Sequence, residues 1–92
     1  MAKRSIIDQP IAALKPRAGN PRTHSPKQIQ QIAASIRRIG FTNPVLIDDA
    51  NGIIAGHGRV AAAKLLGRGT VPTIKLSGMS EAEVRAYVIA DN

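Results

Sequence analysis

Apolar residues recur along this chain in two rhythms, at spacings of three and four in some stretches and as short β-branched runs in others. The clearest helical stretch follows Ser25-Pro26-Lys27-Gln28, where a capping serine, a proline at the first helical position and a glutamine three residues after the serine mark a start. Ile29, Ile32, Ala33, Ile36 and Ile39 then share one face and Gly40 follows, which predicts a helix from Pro26 to Ile39. Val45-Leu46-Ile47 and Ile53-Ile54-Ala55 flank a five-residue loop, Asp48 to Gly52, whose Asn-Gly pair signals a hairpin. After Gly56-His57-Gly58 a helix through Ala61 to Leu66 should stop at Gly67, and Val71 to Leu76 resumes as a strand. Pro72 in that strand points to a sheet edge or a strand entry. Ser80-Glu81-Ala82-Glu83 forms a second capping box and opens a helix with the stripe Val84, Tyr87 and Val88. At the front, residues 1–4 read as a flexible end, a short strand is expected near Ile6-Ile7, and a turn from Ile11 to Lys15.

The order β, α, β, β, α, β, α predicts one α+β domain over residues 1–92, a small mixed sheet with helices packed on one of its faces. Only Phe41 and Tyr87 are aromatic, so the core rests on aliphatic side chains, and stacking of bases on an aromatic platform is disfavoured. Without cysteine there is no disulfide, thiolate nucleophile or thiolate metal site, and His24 and His57 alone cannot complete a zinc site. Neither a signal peptide nor an apolar run near membrane-spanning length is present, so a cytoplasmic, nucleoid-associated location is expected and a membrane partner is not.

Charge sharpens this reading. The chain carries a net +7, and all of the excess falls in residues 1–38, where eight basic groups face Asp8 alone. A one-sided positive field attracts polyanions. The loop from Pro16 to Ser25 is the most basic and reads as ordered by a ligand, and Lys15, Arg17, Lys27, Arg37 and Arg38 are the candidate contacts to DNA phosphates. Arg37 and Arg38 also meet the negative end of their own helix, which by itself accounts for their placement.

The strongest candidate chemistry lies at Ile53-Ile54-Ala55-Gly56-His57-Gly58-Arg59. Gly56 and Gly58 permit positive φ and close approach of the main chain to a ligand, the following helix offers unpaired N–H groups, and Arg59 adds a forked donor. Such a cradle suits a triphosphate. His57 could donate to a phosphate oxygen or exchange a proton, whereas His24 reads as a loop or cap residue.

Several further segments accompany this turn in order: Leu14-Lys15-Pro16, Asn20-Pro21-Arg22, Ile32-Ala33-Ala34-Ser35-Ile36, Pro44-Val45, Ala62-Ala63-Lys64, Val71-Pro72 and Ile89-Ala90-Asp91-Asn92. Together they resemble the ParB/sulfiredoxin superfamily over nearly the whole chain. Within it the chain looks most like the ParB-like N-terminal domains found ahead of bacterial and phage DNA methyltransferases, where a Gly-His-Gly-Arg turn replaces the Gly-Glu-Arg-Arg of partitioning ParB. The resemblance implies a nucleoside triphosphate, CTP or ATP, bound with Mg2+ in a domain acting in DNA binding, partitioning or modification. Gly56 and Arg59 match the first and last positions of the family's phosphate-binding turn, and Arg22 matches its Gln-Pro-Arg arginine. Asp91 and Asn92 match a Glu-Asn pair that serves the magnesium ion, for which they offer hard oxygen ligands.

The same resemblance implies a homodimer and a downstream helix-turn-helix or methyltransferase domain, since the basic segment that follows Glu-Asn in ParB would begin after Asn92; residues 1–92 are thus expected to be one domain excised from a longer chain. Departures reduce the positive charge of the site: His57 and Gly58 stand in place of Glu and Arg, and Ala61 where a further arginine is expected. Sulfiredoxin chemistry is ruled out, because its turn carries a catalytic cysteine where His57 stands. As an enzyme the chain is expected to show at most slow triphosphate hydrolysis or nuclease activity. The rival readings are a ParB-like nuclease or phosphotransferase, with Asp48, Asp49 and Asp91 as the carboxylates available at the sheet rim, and a basic DNA-binding domain that needs no nucleotide.

Overall fold

Four strands join in one mixed sheet in the order β1-β4-β2-β3. The computed structural model describes residues 5–16 and 24–91, with side chains as far as Tyr87. Its elements are β1 (Ile7–Pro10), a 3-10 turn (Ile11–Ala13), α1 (Pro26–Ile39), β2 (Val45–Ile47), β3 (Ile53–Ala55), α2 (His57–Leu65), β4 (Thr70–Lys75) and α3 (Glu81–Asp91). Strand β4 runs antiparallel to β1 and parallel to β2, and β2 and β3 form the expected antiparallel hairpin.

Every residue of β2 and β3 is apolar, and the two faces of the sheet divide them. Val45, Ile47, Ile53 and Val71 pack with Val60 and Ala63 of α2 on one face, whereas Ile54 with Leu46 and Ile74 packs against Leu76, Met79 and Val84 on the other. Helices therefore cover both faces, and the expectation of a single covered face is corrected: strands apolar at consecutive positions are those buried on both sides. Ala62 and Ala63 are fully buried, Ala62 toward α1 and Ala63 toward the sheet. Helix α1 thus forms an outer layer, its Ala33 and Ile36 seated on α2. Ile39, assigned by periodicity to the same face, is 63% exposed, and Phe41 just beyond it packs into that cluster.

Helix α1 begins and ends where its residues predict. Ser25 Oγ accepts from the Gln28 N–H at 3.1 Å and Gln28 Oε1 accepts from the Ser25 N–H at 2.9 Å, while Gly40 closes the last turn with φ +79°. Ser80 and Glu83 repeat the box at α3. The first strand lies one position later than expected, at Ile7–Pro10, where Thr73 Oγ1, buried in β4, donates to the Ile7 carbonyl at 2.7 Å.

Pro72 stands in a central strand, yet pairing with β2 begins only at Thr73. At Pro72 the strand has β1 alone as a neighbour, so it is locally an edge and tolerates a residue with no N–H. The outer margin of β3 is closed by Lys15, whose N–H donates to the Asn51 carbonyl and whose own carbonyl accepts from the Ile53 N–H, both at 2.9 Å.

Candidate phosphate-binding site

Strand β3 delivers the chain to Gly56, which adopts φ +107° and ψ 21° and caps α2. A left-handed N-cap turns the backbone sharply from sheet into helix, a conformation strained for any residue with a β-carbon. Because the cap is glycine, no side chain satisfies the first amides of α2 from that position. The helix starts at His57, two residues earlier than a turn spanning Gly56 to Gly58 suggested, so Gly58 lies inside its first turn.

The two glycines have different causes. A β-carbon on Gly56 would lie 2.7 Å from Arg59 Nη1 and 3.3 Å from the Val45 α-carbon, so the guanidinium folds back over the bare glycine backbone. Gly58 has no positive φ, contrary to the sequence expectation, and is small because the space above it is filled. A β-carbon there would lie 2.9 Å from both His24 Nε2 and Ile32 Cδ1. His24, expected as a plain loop or cap residue, therefore packs against the first turn of α2 beside Ile32 of α1. Its Nδ1 is buried with no hydrogen-bond partner among the described residues, and a buried nitrogen left unpaired costs about 1–3 kcal/mol. No local pattern announces this contact, because the two residues are far apart in sequence.

The remaining candidates separate. His57 and Arg59 are both partly buried on the first turn of α2. Arg17, Arg22 and Asn92 lie outside the described residues, as does the Asp91 side chain at the end of α3. Lys15 is exposed at the β3 margin, whereas Lys27, Arg37 and Arg38 are exposed together on α1. Both ends of the basic loop are thus anchored, at Lys15 on β3 and at His24 on α2. Asp48 and Asp49 serve the hairpin loop: Asp48 Oδ1 accepts from the N–H groups of Ala50 and Gly52, and Asp49 Oδ1 accepts from Ser77 Oγ. Among the described residues no three acidic or histidine side chains converge as a metal site, and no helix is long and apolar enough to cross a membrane.

A mixed sheet with helices on both faces, whose strand β3 enters a helix through a left-handed glycine beneath a guanidinium, defines an α+β domain with a candidate anion site at that turn. The whole chain, residues 1–92, matches the ParB N-terminal domain family, and it belongs to that family. It is 49% identical over 81 residues to the ParB-like nuclease domain-containing protein YnaK of Escherichia coli K12, covering 88% of this chain and 93% of that one. The C-terminally truncated chromosome-partitioning protein ParB of Caulobacter crescentus in complex with CTP-γ-S aligns with a TM-score of 0.83 and 27% identity, over 96% of this chain and 52% of that chain. The same ParB complexed to the centromeric parS site aligns at 0.77 and 25%, over 94% and 46%. Sulfiredoxin from Arabidopsis thaliana, at 22% identity and a TM-score of 0.74 over 91% of this chain and 97% of its own, shares the fold. The chain spans about half the length of the ParB structures it matches.

Proposed function

We propose that this domain binds a nucleoside triphosphate, CTP or ATP, with Mg2+ and acts on DNA through self-association or a fused DNA-binding or methyltransferase domain. The observation that carries the reading is the Arg59 guanidinium lying over the bare Gly56 backbone at the uncapped start of α2. Charge-assisted hydrogen bonds each contribute about 1.5–3 kcal/mol, so three or four of them give micromolar affinity. Gly56, Gly58 and Arg59 hold phosphate oxygens in this scheme, His57 donates beside them, Arg22 closes over them, and Asp91 with Asn92 serves the magnesium ion. The CTP-γ-S complex of the ParB neighbour adds weight to this reading.

The test is the thermal midpoint with each ribonucleoside triphosphate and Mg2+, for the parent chain and for Arg59→Ala. A ligand at about 100 times its Kd stabilises a fold by about 2.7 kcal/mol, which reads as a clear upward shift. The parent should shift and the variant should not, with both folded by circular dichroism. Equal shifts in the two would remove Arg59 from the site, and no shift with any triphosphate would leave the nucleotide-independent DNA-binding reading in its place.

A further inference from the structure

The outer face of α1 has no part in the cradle or the core, and its composition is unusual. Lys27 and Arg38 stand eleven residues apart, which at 100° per residue returns them to within about 20° of one line along the helix. They are separated by about 16 Å along the axis. Between them lie Gln31, Ala34 and Ser35, all exposed, with Gln30 and Arg37 at the margins. Two shallow hollows of about 330 and 500 Å3 open on this surface, and Gln31 and Ser35 line both. No carboxylate occurs anywhere on the helix.

Solubility alone does not explain the pattern. Lys27 sits in the first turn, where a cation opposes the helix dipole, and the turn contains no acidic residue to offset it. Helix α3, opened by the same type of box, carries Glu81 and Glu83 at the equivalent place. A local rule broken at a stability cost marks a surface kept for another purpose.

We infer that the outer face of α1 is a contact surface for the phosphate backbone of double-stranded DNA, with Lys27 and Arg38 on phosphates at either side of a groove and Gln31 and Ser35 as uncharged donors between them. Their separation exceeds the roughly 12 Å width of the major groove by less than the reach of two long side chains, so both can engage at once. Single strands are disfavoured because the face offers no aromatic ring for stacking. An acidic protein is disfavoured because the large aliphatic residues of the two hollows stand aside from the line of cations, Ile32 partly buried against α2 and Ile39 beyond Arg38. The inference rests on the DNA-associated part of the proposed function and is independent of the nucleotide site.

The test is the salt dependence of duplex binding, followed by fluorescence anisotropy, for the parent chain, the double variant Lys27→Ala/Arg38→Ala and the charge-matched control Lys64→Ala/Arg85→Ala. Loss of two phosphate contacts should lower the log–log slope by about 1.8 and weaken binding roughly ten- to hundredfold at about 0.1 M salt. The control, which removes the same net charge elsewhere, should keep nearly the parent slope. Removing Lys27 relieves an unfavourable charge at the helix start, so the double variant stays folded, as its thermal midpoint verifies. Equal slopes for parent and double variant, or an equal loss in the control, would overturn the assignment to α1 and leave DNA association standing. No duplex binding by the parent at low salt would overturn both, whatever the outcome of the triphosphate titration.

Discussion

His24 and Gly58 are fitted to one another: the imidazole occupies the volume that any β-carbon at position 58 would need, with Nε2 2.9 Å from that point. This contact anchors the end of the basic loop on the first turn of α2. It also gives Gly58→Ala two opposing effects. Alanine favours a helix interior by about 1 kcal/mol over glycine, whereas displacing a packed ring costs about 1–3 kcal/mol. The net expected in the parent is a loss of up to about 2 kcal/mol. In a His24→Ala background only the flexible tip of Ile32 need yield, so the same substitution should be neutral or stabilising. A urea-denaturation double-mutant cycle reads the difference. Additive effects would mean that the ring and the glycine are independent.

Gly56→Ala tests the other glycine, whose cause is conformational. A β-carbon at φ +107° is strained by about 1–2 kcal/mol, and here it also meets Arg59 Nη1 and the Val45 main chain. The variant should lose at least that much stability and, because the guanidinium must move, its response to triphosphate as well. A His24→Ala background should not restore either property. A Gly56→Ala protein with parental midpoint and parental triphosphate shift would contradict the geometry of the turn.

These two glycines show where sequence reasoning succeeds and where it stops. Local chemistry was fully legible: both capping boxes, the extent of α1 and the hairpin rest on residues within a few positions of one another. The strand-to-helix turn with Arg59 beside Gly56 was legible, because those two residues lie three positions apart. The reason for Gly58 was not legible, since it depends on a residue 34 positions earlier. The second covered face was written in Val45-Leu46-Ile47 and Ile53-Ile54-Ala55, apolar at every position, whereas the order of elements alone does not say which face each helix covers. Pro72 marks a local edge inside a central strand for a related reason: strand position is a property of the whole sheet, whereas pairing is decided residue by residue.

Helix α3 carries a pH dependence of known sign. The Ser80 N–H and hydroxyl hydrogen-bond the Glu83 carboxylate region and hold its pKa below the 4.5 of a free glutamate. A carboxyl depressed in the folded state adds stability above its unfolded pKa, and that contribution disappears as pH falls through the folded value. Stability should therefore decline below about pH 4.5 partly through this box. In Ser80→Ala the decline should be shallower, because the pKa difference between folded and unfolded chains shrinks. Chemical denaturation at several pH values between about 3 and 6 measures it. Parallel curves for parent and variant would show that the Ser80 N–H, which the variant keeps, and not the hydroxyl, holds the carboxyl down.

Asn51 is the site where slow covalent damage would start, and Asp48 is placed to prevent it. In an Asn-Gly pair the following amide nitrogen loses its proton and attacks the asparagine Cγ; ammonia leaves, and water opens the succinimide to aspartate or isoaspartate. Here the Gly52 N–H donates to Asp48 Oδ1 at 2.8 Å, so the nitrogen that must become anionic faces a carboxylate. A hydrogen bond to a charged group is worth about 1.5–3 kcal/mol, and every 1.4 kcal/mol is a factor of ten in rate. Asp48→Ala should thus accelerate deamidation of the folded chain by about ten- to hundredfold, approaching the rate in urea, as followed by peptide mass spectrometry. Because the Asn51 carbonyl accepts from Lys15, isoaspartate would lengthen the backbone where that bond is made and loosen the strand margin that leads into the basic loop. Equal rates in parent and variant would show that the loop's own conformation, with Asn51 at φ +64°, protects the amide without help from Asp48.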